Sequence, residues 1–170
     1  DRGLARRISR YKSGKYTIER PLHVGAALAG RLHDLRGPLS AYGDPLGEAF
    51  QLRDDVLGAF GDPERTGKPV GQDLREGKPT PLLAIAVERA AEARDGAADL
   101  LAQVGDPGLD DEDIGRLQHV LVETGALAEV ERLIAELTGR AIDAIDAADI
   151  VPEARDELIE LARFVASRDA

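Results

Sequence analysis

A chain of 170 residues suffices for one domain and hardly for two. With 22 Lys and Arg against 32 Asp and Glu the net charge is −10, which argues against a general binder of nucleic acid or of anionic membrane, whose footprint would be basic. No Cys occurs, so disulfides, Cys-ligated zinc, iron–sulfur clusters and thiol nucleophiles are excluded.

The hydrophobic content of 43% is enough to bury a core, and with aromatics at 4% and neither Met nor Trp that core is expected to be aliphatic and Ala-rich. No apolar run approaches the ~18 residues of a membrane span, and no apolar signal segment follows the charged start. A cytoplasmic protein without stable membrane insertion is the expectation. The chain opens without Met on what reads as a helix already under way, which reads as a segment of something longer. Charge is uneven: through Arg36 nine basic residues stand against three acidic ones, leaving −16 for the remainder. A basic first segment facing an acidic body suits an anionic ligand held with metal ions; arginines on a solvated helix face explain the same counts and are favoured on charge alone.

In chain order the pattern is helical almost throughout. Leu4, Ile8 and Tyr11 keep helical spacing, and Leu22, Ala26, Ala29 and Leu32 continue it after a kink or break predicted near Lys12 to Pro21. Gly37-Pro38 predicts a stop followed by a new start. The next helix runs to about Phe60 and ends in Gly-Asp-Pro. A loop rich in Gly, Pro and charge follows from Pro63 to Pro79, longer than the ~12–15 residues usual for unstructured connections. Thr80-Pro81 opens an Ala-rich helix to about Val104. Asp110 or Asp111 caps a helix carrying Ile114, Leu117, Val120 and Leu121 and stopping at Gly125. A long stripe runs from Leu127 to Ile145, Asp149 to Pro152 breaks it, and Leu158, Leu161, Ala162 and Val165 close the chain. No stretch alternates as a strand would. The expected class is all-α, a helical bundle.

The chemistry concentrates in Phe50 to Asp62, FQLRDDVLGAFGD. At about 100° per residue Gln51, Asp54, Asp55 and Gly58 share an arc of about 100°. Apolar side chains fill the other directions, with Arg53 unexplained among them. Carboxylates on one face repel, and a hard cation such as Mg²⁺ relieves that repulsion, held by one or two carboxylates and a ligand's phosphates. An acidic stripe facing solvent accounts for the spacing at least as well. The following TGKPVGQDLREGK adds Lys68 and Lys78 among glycines, which is what a metal-bound diphosphate requires; an ordinary polar loop is the plain alternative. A nucleotide P-loop is excluded, because five residues rather than four separate Gly61 from Gly67, and Pro69 stands where Ser or Thr belongs. His23, His33 and His119 form no metalloprotease pattern, and the acids around Asp106 to Gly115 miss a calcium-loop register.

These runs carry a family resemblance. FQLRDDVLGAFGD with TGKPVGQDLREGK resembles the second aspartate-rich region of the trans-isoprenyl diphosphate synthases, the polyprenyl synthetases that make farnesyl, geranylgeranyl and longer diphosphates. RYKSGKYTIERPLHVGAALAG, Arg10 to Gly30, looks like the Lys-Thr helix of that family. The resemblance extends over residues 1–170 and corresponds to the C-terminal portion of a single all-helical synthetase domain. It implies an isoprenoid synthase-type helical fold, here incomplete, and Mg²⁺-dependent ionisation of an allylic diphosphate, whose cation is attacked by isopentenyl diphosphate. It implies metal ligation by Asp54, with Asp55 as a further ligand or support. It assigns the diphosphate to Lys12, Lys68 and Lys78, places Ser13 where the family has Thr near the developing cation, and matches Gln51 to the family glutamine. It also implies a homodimer.

Two departures stand out. The family motif DDxxD ends here in Gly58, and Asp62 lies one turn further on. The family's first aspartate-rich motif, with its arginines, has no counterpart in the chain, so these residues alone are expected to be inactive. A non-catalytic helical subunit of a prenyl synthase and a terpene cyclase-like relative are the alternatives; the Lys68/Lys78 loop speaks against the latter.

Overall fold

The computed structural model describes residues 10–62, 64, 69–93 and 96–168, with side chains from residue 15 onward. Every regular element among the described residues is helical. In chain order they are α1 (Arg10–Glu19, wound as a π-helix), α2 (Arg20–Leu28), α3 (Leu32–Phe60), α4 (Gln72–Arg75), α5 (Pro81–Ala93), α6 (Ala97–Leu101), α7 (Asp111–Glu123), α8 (Ala126–Asp146) and α9 (Pro152–Ser167). Among the described residues no helix is long and apolar enough to cross a membrane. Two compact units divide these elements, and residues 54–132 make up most of one of them.

The unit built from Arg6–Arg53 and Leu133–Arg168 has a core of Ile18, Ala26, Leu39, Tyr42, Leu46, Ala141, Ile145, Ala148, Ala162 and Val165. Its α3 segment corrects the expected stop at Gly37-Pro38: the helix runs through both Pro38 and Pro45. An interior proline costs about 3 kcal/mol through the lost N–H and the clash with the preceding turn. Leu39, Tyr42, Leu46 and Ala49, at helical spacing, are all buried. Each large apolar side chain so buried contributes about 1.5–3 kcal/mol, so the packed stripe outweighs the local penalty. The break expected near Lys12 to Pro21 is instead a change of winding: the π-turns of α1 pass into α2 with Glu19 still in right-handed helical geometry and Pro21 in the first turn.

Polar groups in this core are matched in detail. The Tyr42 hydroxyl donates to the Leu158 carbonyl at 2.7 Å, and burial pushes its pKa up to about 12. Glu19 is buried, and both its oxygens are met: Ser40 Oγ donates to Oε1 at 2.7 Å and Lys15 Nζ to Oε2 at 3.0 Å. Burial alone would raise the pKa of Glu19; the Ser40 and Lys15 hydrogen bonds and the Lys15 charge prevail and hold it below its ordinary value. Gly43 permits this arrangement, because a Cβ there would stand 3.0 Å from the Glu19 Cα. Arg53, unexplained by its apolar neighbours in sequence, donates through Nε to the Ala166 carbonyl at 2.8 Å.

The other unit buries Val56, Ala59, Leu74, Leu82, Ile85, Ala86, Ile114, Leu117, Leu121 and Val130. Asp110 caps α7 as expected: its side chain accepts from the Asp113 N–H at 2.9 Å while Asp113 accepts from the Asp110 N–H at 3.1 Å. Thr80 Oγ1 accepts the Leu83 N–H at 3.2 Å at the start of α5. The Ala-rich helix is shorter than its composition suggests: α5 ends at Ala93, and α6 begins after Gly96 at φ +87°. α3 stops at Phe60, where Gln118 Nε2 donates to the Ala59 carbonyl at 2.7 Å, so one of the last carbonyls finds a side-chain donor.

Two outcomes follow from the buried polar groups. Tyr42→Phe should cost about 1–2 kcal/mol in urea unfolding, the worth of one buried hydrogen bond. Because the folded pKa of Tyr42 is raised from 10.0 to about 12, the stability it confers is complete below the unfolded value and is lost as pH climbs through the folded one; the variant should lack that alkaline loss. Glu19 has the opposite sign: its folded pKa lies below 4.5, so its contribution is present above that pH and is lost as pH falls through the depressed value. Ser40→Ala should therefore move the acid-unfolding midpoint upward in a pH series followed by circular dichroism.

Candidate functional site

The site is built where the C-terminal part of α3 meets the segment that follows it. Asp54 and Asp55 sit on α3, Asp54 half-buried and Asp55 only 4% exposed. Leu52, Val56 and Ala59 are buried beside them, so the acids share their helix with a tightly packed apolar face. Asp62 lies beyond the helix end, and its Oδ1 accepts the Glu64 N–H at 2.9 Å in a turn. It is therefore off the helical stripe.

The predicted loop contains α4, and its path is held by close contacts. Gly71 precedes α4 at φ +65°, and a Cβ there would stand 2.4 Å from Ile114 Cγ2. Gly77, at φ +63°, lets the backbone approach Gly105, whose Cα would be 3.0 Å from an added Cβ. The Gly105 N–H donates to the Leu74 carbonyl at 2.9 Å. Arg75 donates to the Leu109 carbonyl and pairs with Asp111 at 2.6 Å, fastening α4 to the start of α7.

This clamp delivers Lys78. Its backbone N–H donates to the Asp73 carbonyl at 2.9 Å, and its Nζ donates to Asp73 Oδ2 at 2.7 Å. The same Nζ lies 3.4 Å from Asp55 Oδ1. Burial would lower the pKa of Lys78, but the hydrogen bond to Asp73 and the charges of Asp55 and Asp73 override it, and the net direction is upward. The ammonium is thus a fixed cation between two carboxylates. The carboxylate of Asp73 also lies against α3 at Gly58: a Cβ on Gly58 would be 2.2 Å from Asp73 Oδ2.

Of the residues singled out in the sequence, the structure brings Asp55 and Lys78 together. Gln51 is half-buried on α3, on the helical turn that leads to Asp54 and Asp55. Lys12 and Ser13 belong to the backbone of α1, and their side chains lie outside the described residues, as does Lys68 altogether. Asp73 was missed in the sequence. Its signals were its place five residues before Lys78 and the absent side chain at position 58.

Among the described residues no group of three or more His, Asp or Glu is gathered closely enough to hold a cation by itself. The donor chemistry nevertheless fits Mg²⁺ of the kind that takes one or two carboxylates and completes its shell with water and phosphate. The carboxylate oxygens of Asp54, Asp55 and Asp73 are hard donors.

An all-α chain with this acid stripe and lysine loop falls in the isoprenyl synthase class. The polyprenyl synthetase family model matches residues 5–115, and the chain belongs to that family. It is 36% identical over 152 residues to the geranylfarnesyl diphosphate synthase of Aeropyrum pernix, covering 89% of this chain and 46% of that protein. It is 37% identical over 153 residues to the (2E,6E)-farnesyl diphosphate synthase of Mycobacterium bovis, covering 86% and 41%. Among solved structures it resembles the geranylgeranyl pyrophosphate synthase of Corynebacterium glutamicum, complexed with isoprenyl diphosphate and magnesium, at a TM-score of 0.94 and 45% identity, covering 99% of this chain and 47% of that one. The polyprenyl synthase of Caulobacter crescentus, complexed with calcium and isoprenyl diphosphate, matches at a TM-score of 0.86 and 30% identity, covering 100% and 51%. The chain spans about half the length of the relatives it matches.

Lys78→Met removes the cation beside a carboxylate that is almost fully buried. Discounted for the 42% exposure of the lysine side chain, the expected cost is about 1–2 kcal/mol of unfolding free energy, measured by denaturant titration. Asp55→Asn in the Lys78→Met background should restore part of it, because the buried charge is then gone.

Proposed function

We propose that the protein is a prenyltransferase that condenses isopentenyl diphosphate with an allylic diphosphate, and that residues 1–170 are the C-terminal portion of its single synthetase domain. Family membership supports the reaction class. The observation that supports it for these residues is the placing of Lys78 between Asp55 and Asp73. The first aspartate-rich motif of the family has no counterpart in the 170 residues, so turnover belongs to the intact protein.

Each residue has a defined task. Asp54 would hold Mg²⁺, with Asp55 as its support beside Lys78. Mg²⁺, when bound, neutralises diphosphate charge and so makes it a leaving group. Lys12 and Lys68 take diphosphate oxygens, and Lys78 contributes a further positive charge. The carbon–oxygen bond of the allylic diphosphate then breaks, its electron pair leaving with diphosphate. The double bond of isopentenyl diphosphate attacks the allylic cation, and loss of a proton restores neutrality at carbon. By the family resemblance, Ser13 and Gln51 would supply polar groups for the developing cation. The substrates imply a cytoplasmic enzyme, and the family form implies a homodimer.

The test is to incubate the intact protein with Mg²⁺, an allylic diphosphate and labelled isopentenyl diphosphate, and to separate the products. An elongated prenyl diphosphate is expected. Diphosphate released without consumption of isopentenyl diphosphate would indicate a cyclase, and no reaction would end the proposal. Asp54→Asn should lower kcat/KM by roughly 10²-fold or more, as loss of a key electrostatic group does.

A further inference from the structure

A chain of polar groups ties α1 and α2 to α3. Glu19, the last residue of α1, is only 5% exposed; Ser40 Oγ on α3 donates to it at 2.7 Å, and Lys15 Nζ on its own helix donates at 3.0 Å. Ser40 has one hydroxyl hydrogen and gives it to Glu19. His23 Nε2 on α2 stands 3.1 Å from Ser40 Oγ and 3.3 Å from the Arg36 carbonyl, so Nε2 carries the hydrogen and donates. Lys15 Nζ also lies 3.7 Å from Asp44 on α3. The backbones themselves come close. A Cβ on Gly43 would stand 3.0 Å from the Glu19 Cα and 3.3 Å from its N, and these atoms cannot turn aside as a side-chain tip can. Ile18, the preceding residue, is buried in the core of the same unit.

A buried, paired carboxylate is a poor source of stability, since a well-packed apolar group often serves as well or better. What its directed hydrogen bonds supply is a fixed position. The element that needs one is α1. It is wound as a π-helix for ten residues, whereas this winding is rare and mostly confined to a single turn, often at functional sites. Its backbone carries Lys12 and Ser13, and Lys12 lies seven residues before Glu19. We infer that Glu19 is a positioning residue: held by Ser40, by Lys15 and by the close approach of Gly43, it fixes the π-wound backbone that carries Lys12. The inference rests on the magnesium–diphosphate reading proposed above, which assigns Lys12 to the diphosphate. Glu19 acts through that lysine and not on the substrate.

Three variants of the intact protein test this: Lys12→Ala, Glu19→Gln, and the two combined. Binding of inorganic diphosphate is followed by calorimetry with and without Mg²⁺, and unfolding midpoints are recorded alongside. Gln keeps the shape of Glu19, but its amide nitrogen cannot accept from Lys15. Glu19→Gln is expected to weaken the Mg²⁺-dependent binding roughly 10–100-fold, the scale of loss when a distant change misplaces a working group by about 1 Å. Lys12→Ala should weaken it at least as much. The combined variant should bind no worse than Lys12→Ala alone, because Glu19 has nothing left to position. A general structural defect would instead add its loss in both backgrounds. If Glu19→Gln does not fold, Ser40→Ala removes one of the hydrogen bonds to Glu19 and takes its place in the cycle, with the same pattern expected. Unchanged binding in Glu19→Gln or in its Ser40→Ala substitute, or losses that multiply in the combined variant, overturns this inference alone. Binding in the unsubstituted protein with no loss in Lys12→Ala overturns the assignment of Lys12 and the inference with it. Absence of Mg²⁺-dependent binding in the unsubstituted protein overturns the functional reading itself, and this inference falls with it.

Discussion

One ammonium between two carboxylates sets the geometry of the candidate site. Lys78 Nζ lies 2.7 Å from Asp73 Oδ2 and 3.4 Å from Asp55 Oδ1, and Asp55 is almost wholly shielded from water. A carboxylate taken out of water persists as an ion only with a cation or several donors against it. Asp55 has the cation because the intervening chain is bent back by Gly71 and Gly77 and pinned by Arg75. The turn glycines, the arginine anchor and the acid pair are therefore parts of one arrangement.

The helical pattern was legible from apolar spacing because the buried stripes are long and regular. Leu117, Val120 and Leu121 on α7, and Ile134, Leu137, Ala141 and Ile145 on α8, are all buried. The caps at Thr80 and Asp110 were legible for a local reason, since a side-chain oxygen needs only the next turn of its own helix. Gly37-Pro38 misled because the local rule is overridden by packing contributed from far along the chain: Tyr42 is anchored on Leu158. Arg53 was opaque for the same reason, its acceptor being the carbonyl of Ala166.

The site was half legible. Helical spacing puts Asp54, Asp55 and position 58 on one face, and that is where they stand. Periodicity cannot say what enters the gap at Gly58, since that depends on a loop returning to the helix. Asp62, the acid nearest to completing the motif in sequence, is diverted because α3 ends at Phe60 and its carboxylate turns to the Glu64 N–H. Asp73, remote in sequence from the motif, fills the space instead. Linear spacing measures the wrong distance when a helix face is completed by another segment.

The uneven charge of the chain takes a more specific meaning in this light. Several of the early cations are engaged by acids within their own unit: Lys15 with Glu19 and Asp44, and Arg31 with Asp34 and Asp149. Pairs of this kind neutralise locally and leave little field at a distance. Lys78 differs in that one ammonium lies against two carboxylates, 2.7 Å from Asp73 and 3.4 Å from Asp55. Carboxylate oxygens are hard donors, and a divalent cation of the magnesium kind takes only one or two of them from a protein. Such a cation arriving with phosphate oxygens in its shell would meet the stripe without requiring the protein to supply a complete set of ligands.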